Sequence, residues 1–287
     1  MDAPAVALLG AGQMGGALIR GWIKAIRRGG GLTLTVREPN FDPVLEAELA
    51  AAGAELNPPE PGPADVVVIA LKPQIFKTAA ADAKPFIGPN TLVLSIMAGV
   101  TIGALTDILG TQRIIRAMPN TPGQIGQGIT AYVAGPGATA ADKELAALLL
   151  EPLGVVEPIP NERLMDVVTA VSGSGPAYVF LLAEVLAAAA ENEGLDRETA
   201  RRLAGRTVAG AGALMLETGA DAATLRKQVT SPGGTTEAAL DVLQTPDGLA
   251  LLLRRAVQAA THRSRELGKE LDGAGSARRV GSLREET

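Results

Sequence analysis

The sequence predicts an α/β protein in two parts: an N-terminal doubly wound parallel sheet over residues 1–160, and an all-α domain over residues 161–271. A flexible, glycine-rich tail is expected over 272–287. Three observations carry this. The 287 residues exceed what one core of roughly 100–200 residues uses. Short β-branched runs alternate with helical patterns through the first half, as in βαβ units. After Pro160 the strand signals stop and only helical patterns follow.

Strands are expected at Ala5–Leu9, Leu32–Arg37, Val66–Leu71, Leu92–Met97, Ile114–Ala117 and Ile129–Ala134. Several are apolar without alternation, as strands covered by helices on both faces must be. Helices are expected at Met14–Arg27, Pro43–Ala52, Ile102–Leu109 and Ala140–Leu149 in the first part. In the second part they are expected at Glu162–Val171, Pro176–Glu193, Arg197–Glu217, Ala222–Gln228, Thr235–Leu243 and Leu249–Gly268. The helix from Pro176 is apolar on nearly every face, so several neighbours must cover it. A second subunit is the favoured cover, a homodimer through the helical domain; the alternative is a central helix within one subunit.

Composition closes off several functions. The net charge of −5 argues against nucleic acid, whose binding rests on excess Lys and Arg. There is no cysteine and a single histidine, His262, so thiolate chemistry and Cys- or His-built metal sites are not expected. The N-terminus lacks a basic, cleavable leader pattern, and Pro176–Ala190 is interrupted by Glu184 and short of the roughly 20 residues that span a bilayer. A soluble cytoplasmic protein without membrane or nucleic-acid partners is expected.

The stretch A-V-A-L-L-G-A-G-Q-M-G-G places glycines between a strand and a helix at the start of the βαβ series. Gly10 ends the strand, Gly12 permits close backbone approach to a pyrophosphate, and Gly15 permits tight helix–strand packing. Gln13 and Met14 open the helix whose positive end takes the phosphates. This is the fingerprint of a Rossmann-type dinucleotide site. The second strand ends T-V-R-E-P, where an acid favours the free 2′-hydroxyl of NADH and an arginine the 2′-phosphate of NADPH. Arg37 and Glu38 therefore conflict; the expectation is NADPH, with NADH as the alternative. The ends of the third and fourth strands place Lys72, Pro73, Ala98 and Gly99 at the crevice, although Lys72 also reads as a solvated strand end. Asn120, in R-A-M-P-N-T-P-G, reads equally as a ligand contact or as a brace for its own loop.

The helical domain holds two small-residue helix starts, V-S-G-S-G-P-A-Y at Val171–Tyr178 and T-S-P-G-G-T-T at Thr230–Thr236. Each reads either as a capping turn or as a place where an anion meets free N–H groups; for the second, these would be the amides of Gly234, Thr235 and Thr236.

These motifs together, G-A-G-Q-M-G, A-L-K-P-Q, R-A-M-P-N-T-P, V-S-G-S-G-P-A-Y and S-P-G-G-T-T-E-A-A-L, resemble pyrroline-5-carboxylate reductases from about residue 5 to 268. The resemblance implies hydride transfer from NADPH or NADH to Δ1-pyrroline-5-carboxylate, giving L-proline. It also implies intertwined dimers that assemble into decamers. Residue by residue, it places Thr236 on the substrate ring nitrogen as the catalytic group. Ser231, Gly234 and Thr235 then hold the carboxylate, Glu162 lies near the site, and Asn57, Lys72, Pro73, Ala98 and Gly99 touch the coenzyme. The chemistry suits a histidine-poor chain, because a protonated imine carries its own charge and needs no acid to polarise it. Two rival readings remain. A β-hydroxyacid dehydrogenase would have its lysine and asparagine where Val179 and Ala183 stand. A non-catalytic dinucleotide-binding protein would not be expected to keep a complete T-S-P-G-G-T-T loop.

Overall fold

β1 (Ala5–Leu9), α1 (Gln13–Arg27), β2 (Thr33–Arg37), α2 (Pro43–Ala51) and β3 (Glu55–Leu56) open the chain. β4 (Val66–Ile69), α3 (Pro73–Ala83), β5 (Leu92–Ser95), α4 (Ile102–Leu109) and β6 (Ile114–Met118) follow. β7 (Gly128–Ala134), α5 (Ala140–Leu150) and β8 (Gly154–Pro158) complete one eight-stranded sheet of order β3-β2-β1-β4-β5-β6-β7-β8. Every neighbouring pair is parallel except β6 and β7. This is a computed structural model; it describes residues 3–28 and 31–282, with side chains as far as Lys269.

Successive strand residues enter opposite cores, which is what the period of two requires of a sheet with helices on both faces. Val6, Leu8, Val66, Val68, Leu92 and Leu94 pack with Leu18, Ile19 and Trp22 of α1, Leu45 and Leu49 of α2 and Leu149 of α5. Ala7, Leu9, Val67, Ile69 and Val93 pack with Phe76 and Ala80 of α3 and Leu105 of α4. Trp22 is fully buried, and its indole N–H donates to the Leu149 carbonyl at 2.8 Å, so its one polar atom is satisfied. The expected doubly wound architecture is therefore present, with two further strands, β7 and β8, added antiparallel to the other six.

Three elements lie outside the sequence expectation. α3 packs Phe76, Ala80 and Ala83, an i, i+4, i+7 stripe made mostly of alanines and so a faint apolar signal. β3 is two residues long, and β8 is an edge strand whose half-exposed residues lack a buried run. The expected helix Glu162–Val171 is instead a 3₁₀ turn, a short α6 (Met165–Val168) and a π-helical turn over Thr169–Gly173. The last helix, α11 (Leu249–Ser282), continues beyond Gly268 and through 272–282, where a flexible tail was expected. Extending an existing helix fixes one residue per added bond, so Gly273 and Gly275 do not suffice to stop it. Residues 283–287 lie outside the described residues.

The chain divides into two compact units: one ends at Gly173 and resumes at Ala260, and the other is Ser174–Ala259. The first unit runs past 160 because Met165 belongs to the core beneath α3 and α4. It takes back α11 through buried Thr261 and Ser264, whose hydroxyl donates to Asp166 Oδ1 at 2.7 Å.

Asp142, in the first turn of α5, is almost fully buried and meets Arg113 in a bidentate pair, Nε to Oδ2 at 2.8 Å and Nη2 to Oδ1 at 2.7 Å. Burial pushes its carboxyl up, but the hydrogen bonds from Arg113 and from the Thr139 amide and hydroxyl outweigh this and hold it below the ordinary value. A carboxyl lowered on folding adds stability that is present above its unfolded pKa of about 3.9 and is lost as pH falls through the folded value. Asp142→Asn is therefore expected to cost about 2 kcal/mol near neutral pH, less than a fully buried pair because Arg113 still reaches water. Urea melts at pH 7 and pH 3 check this: the gap to the native sequence should narrow at the lower pH.

The second unit comprises α7 (Gly175–Asn192), α8 (Arg197–Thr218), α9 (Ala222–Gln228), α10 (Thr235–Leu243) and the start of α11. Asp196 and Asp221 cap α8 and α9 by accepting backbone amides, and Gly219 ends α8 in the left-handed region. α7 and α8 pack on one another, yet α7 buries only Ala187 among its residues. Phe180, Leu181, Val185 and Leu216 remain 51–79% exposed.

Candidate active site

Gly10 closes β1 with φ +94°, a left-handed conformation natural to glycine, and its N–H donates to the Arg37 carbonyl at 3.0 Å. A Cβ on Gly15 would stand 2.1 Å from the Gly10 carbonyl oxygen, so α1 sits as close to the strand end as backbone allows. A Cβ on Gly12 would meet nothing within 4 Å. The turn is thus tight on its inner side and open on its outer side. Gly12 caps α1 without a side-chain hydrogen bond, no acid stands in the first turn, and Lys24 and Arg27 stand in the last. The amides around Gln13 and Met14 therefore present a positive helix end with no acid in its own first turn. Beside them lies a cavity of about 520 Å³ lined by residues including Gly12, Gln13, Arg20, Glu38, Asn40 and Gln124. These features fit a dinucleotide pyrophosphate.

The two competing residues at the end of β2 part company. Glu38 Oε2 accepts from Ala11 N–H at 2.9 Å and Oε1 from Asn40 N–H at 3.0 Å, at the cavity wall. Arg37 donates to the Pro58 carbonyl at 3.3 Å and stands 3.6 Å from Asp82. Asn57, expected at the coenzyme, is an exposed residue with φ +46°, the one non-glycine in that region among the described residues. Its amide clamps the Glu38 backbone from both sides, accepting from Glu38 N–H at 3.0 Å and donating to Glu38 C=O at 2.8 Å.

The neighbouring strand ends carry the remaining coenzyme candidates. Register pairs Leu9 with Ile69 and Ile69 with Ser95, so the loops after β1, β4 and β5 are adjacent. Lys72 is exposed at the N-cap of α3, with Pro73 as its first residue. Gly99, at φ +75°, is buried against α11: its added Cβ would lie 3.2 Å from Leu267 Cβ. Ala98, beside it, is half-buried.

Glu162 and Asn120 are both engaged within the first unit. Glu162 Oε1 accepts from the Ile102 amide at 2.8 Å and from buried Arg116 at 2.9 Å. Arg116 is the charged residue of an otherwise apolar strand, and that charge is the sequence signal for this pair. Asn120 accepts from Ile129 N–H and donates to Ser172, the bracing alternative.

In the second unit, Gly233 turns at φ +69° and Gly234 caps α10 without a side-chain bond. The Gly234 N–H, expected to face a ligand, already donates to the Ser231 carbonyl at 3.0 Å, and the Gly233 N–H donates to Glu237 Oε2 at 2.6 Å. The amides of Thr235 and Thr236 open the helix and need an outside acceptor. Thr236 is half-buried, while Ser231 and Thr235 are exposed. Among the described residues, no three of His, Asp and Glu converge as a metal site.

Residues 162–267 match the family described as pyrroline-5-carboxylate reductase dimerisation, and residues 5–99 match the family NADP oxidoreductase, coenzyme F420-dependent. A pyrroline-5-carboxylate reductase of Pseudomonas aeruginosa is 40% identical over 94% of this chain and 99% of its own. The chain belongs to the pyrroline-5-carboxylate reductase family. The Methanosarcina acetivorans reductase is 36% identical over 94% of this chain and all of its own. A solved pyrroline-5-carboxylate reductase from Coxiella burnetii superposes with a TM-score of 0.83 at 35% identity, covering 93% of this chain and all of that one. A solved Plasmodium falciparum pyrroline carboxylate reductase has NADP bound; its TM-score is 0.76 at 28% identity, covering 93% of this chain and 99% of its own. The family's dimerisation segment begins at Glu162 and takes in α6 to α10, and the second match ends at the Gly99 loop.

Proposed function

We propose that this chain reduces Δ1-pyrroline-5-carboxylate to L-proline with NAD(P)H, in the cytoplasm. The observation that carries this reading is the start of α10, where Thr235 and Thr236 are the first two residues of a helix that Gly234 caps without a side-chain bond. Amides suit a carboxylate, and a hydroxyl that both donates and accepts suits a ring nitrogen passing from iminium to amine. The amides at Gly12–Met14 hold the pyrophosphate. Lys72, Pro73, Ala98 and Gly99 are the residues that would hold the nicotinamide half. When bound, the dihydronicotinamide would supply the hydride, with its electron pair, to the imine carbon. As that C–H bond forms, the C=N π pair becomes the nitrogen lone pair, and the proton already on nitrogen stays there. The chain's own task is orientation and exclusion of water, with Thr236 holding the nitrogen and Ser231, Thr235 and Thr236 pinning the carboxylate.

Purified protein mixed with pyrroline-5-carboxylate and reduced coenzyme should lose nicotinamide absorbance and form proline. Absence of turnover with both coenzymes, or turnover of 3-hydroxyacids with oxidised coenzyme, removes the reading.

The same proposal includes a homodimer through the exposed apolar faces of α7 and α8, which can assemble further into a decamer. So much apolar side chain on one unit marks an association surface. Phe180→Asp is expected to shift sedimentation from dimer or larger to monomer, because an unpaired charge in an apolar interface is heavily penalised. The helical run Glu162–Asn192 is also long and apolar enough to cross a membrane by length and composition. Flotation of the native chain with lipid vesicles would favour that cover over a second copy.

A further inference from the structure

The two residues at the end of β2 are both able to set coenzyme choice, and the structure separates them. We infer that Glu38 reads the adenosine ribose and makes this chain prefer NADH to NADPH. The inference rests on the proposed dinucleotide site and goes further, naming which coenzyme that site selects.

Both Glu38 oxygens are oriented by backbone amides, from Ala11 in the glycine turn and from Asn40 after the strand. A carboxylate offers about four acceptor sites, so each oxygen retains one for a ribose hydroxyl. Asn57 holds the Glu38 backbone by both its N–H and its C=O, which fixes where the carboxylate stands. The carboxylate lines the cavity shared with Gly12 and Gln13.

A 2′-phosphate would meet the opposite arrangement. Glu38 and Asp42 both line the cavity, and each is held as an acceptor by backbone amides. The cation in that lining, Arg20, is already bonded to Glu48 at 3.1 Å. Arg37, the residue that would otherwise favour NADPH, spends its guanidinium on the Pro58 carbonyl and Asp82. Bringing a doubly charged phosphate beside these two carboxylates, with Arg20 and Arg37 each already paired to another carboxylate, is a like-charge juxtaposition, which discriminates against it.

Two measurements on the full chain test this. The first is a fluorescence titration of NADH and NADPH without substrate, and the second is kcat/KM for each coenzyme with pyrroline-5-carboxylate. NADH is expected to bind at least about tenfold more tightly. Glu38→Ser should narrow or invert the ratio, mainly by gaining NADPH affinity, and Glu38→Gln should narrow it while keeping an acceptor for Ala11. Equal or tighter binding of NADPH by the native chain overturns the inference. So does selective loss of NADPH binding in Arg37→Ala, which would return the discrimination to the arginine. The native-chain titration reads the result even if a Glu38 variant misfolds. Tight NADH binding without imine turnover sinks the proposed reaction and leaves this inference standing; turnover with the two coenzymes at equal efficiency does the reverse.

Discussion

Replacing Thr236 with alanine is expected to lower kcat/KM for pyrroline-5-carboxylate about 100-fold while leaving the Kd of NAD(P)H unchanged. The size is that of removing one preorganised hydrogen bond from a group whose charge changes in the transition state. Thr236 is the second residue of α10, in the turn that Gly234 opens, so the substitution removes a hydroxyl without disturbing a cap. Alanine is also a good helix former, which keeps the backbone amides in place. Thr236→Ser should recover most of the activity, since serine keeps the hydroxyl. Near-native kinetics in the alanine variant would take Thr236 out of the reaction altogether.

The glycine turn gives the second large effect, in two variants that divide folding from binding. Gly15→Ala forces a Cβ to within 2.1 Å of the Gly10 carbonyl oxygen, a backbone atom that cannot rotate aside. Either α1 or the strand end must move, at a cost of about 3 kcal/mol, the upper range for overpacking. A lower Tm and a loss of coenzyme affinity are both expected. Gly12→Ala meets nothing within 4 Å, so its Tm should stay near native while coenzyme affinity falls, because the added methyl enters the space proposed for the pyrophosphate. Thermal melts beside coenzyme titrations check the pair. A destabilised Gly12→Ala, or a native-like Gly15→Ala, would contradict this geometry.

The sheet was readable because its strands are buried on both faces: runs such as V-V-V-I at Val66–Ile69 have few other structures to adopt. Elements with weaker burial were not. β8 leaves Val155 61% exposed, and α3 hides its stripe in alanines, so neither stands out by periodicity. At the site, the glycine turn was legible because steric demands act between near neighbours in sequence. The Glu38–Asn57 clamp and the Arg116–Glu162 pair join residues 19 and 46 positions apart, and only the fold brings them together. For the same reason Arg37 and Glu38 looked equivalent as adjacent letters, although the strand turns them toward different surroundings.

The return of α11 to the first unit has a consequence for biosynthesis. Ser264, Leu267 and Gly268 wall the β5 loop and Ser264 ties down Asp166, yet they are made after the whole of Ser174–Ala259. A nascent chain can therefore assemble most of the sheet early, but the Gly99 loop waits, unbacked, until the ribosome has released the last helix. Fragments ending before Ala260 should accordingly be poor stand-ins for the coenzyme-binding half, however complete their strands.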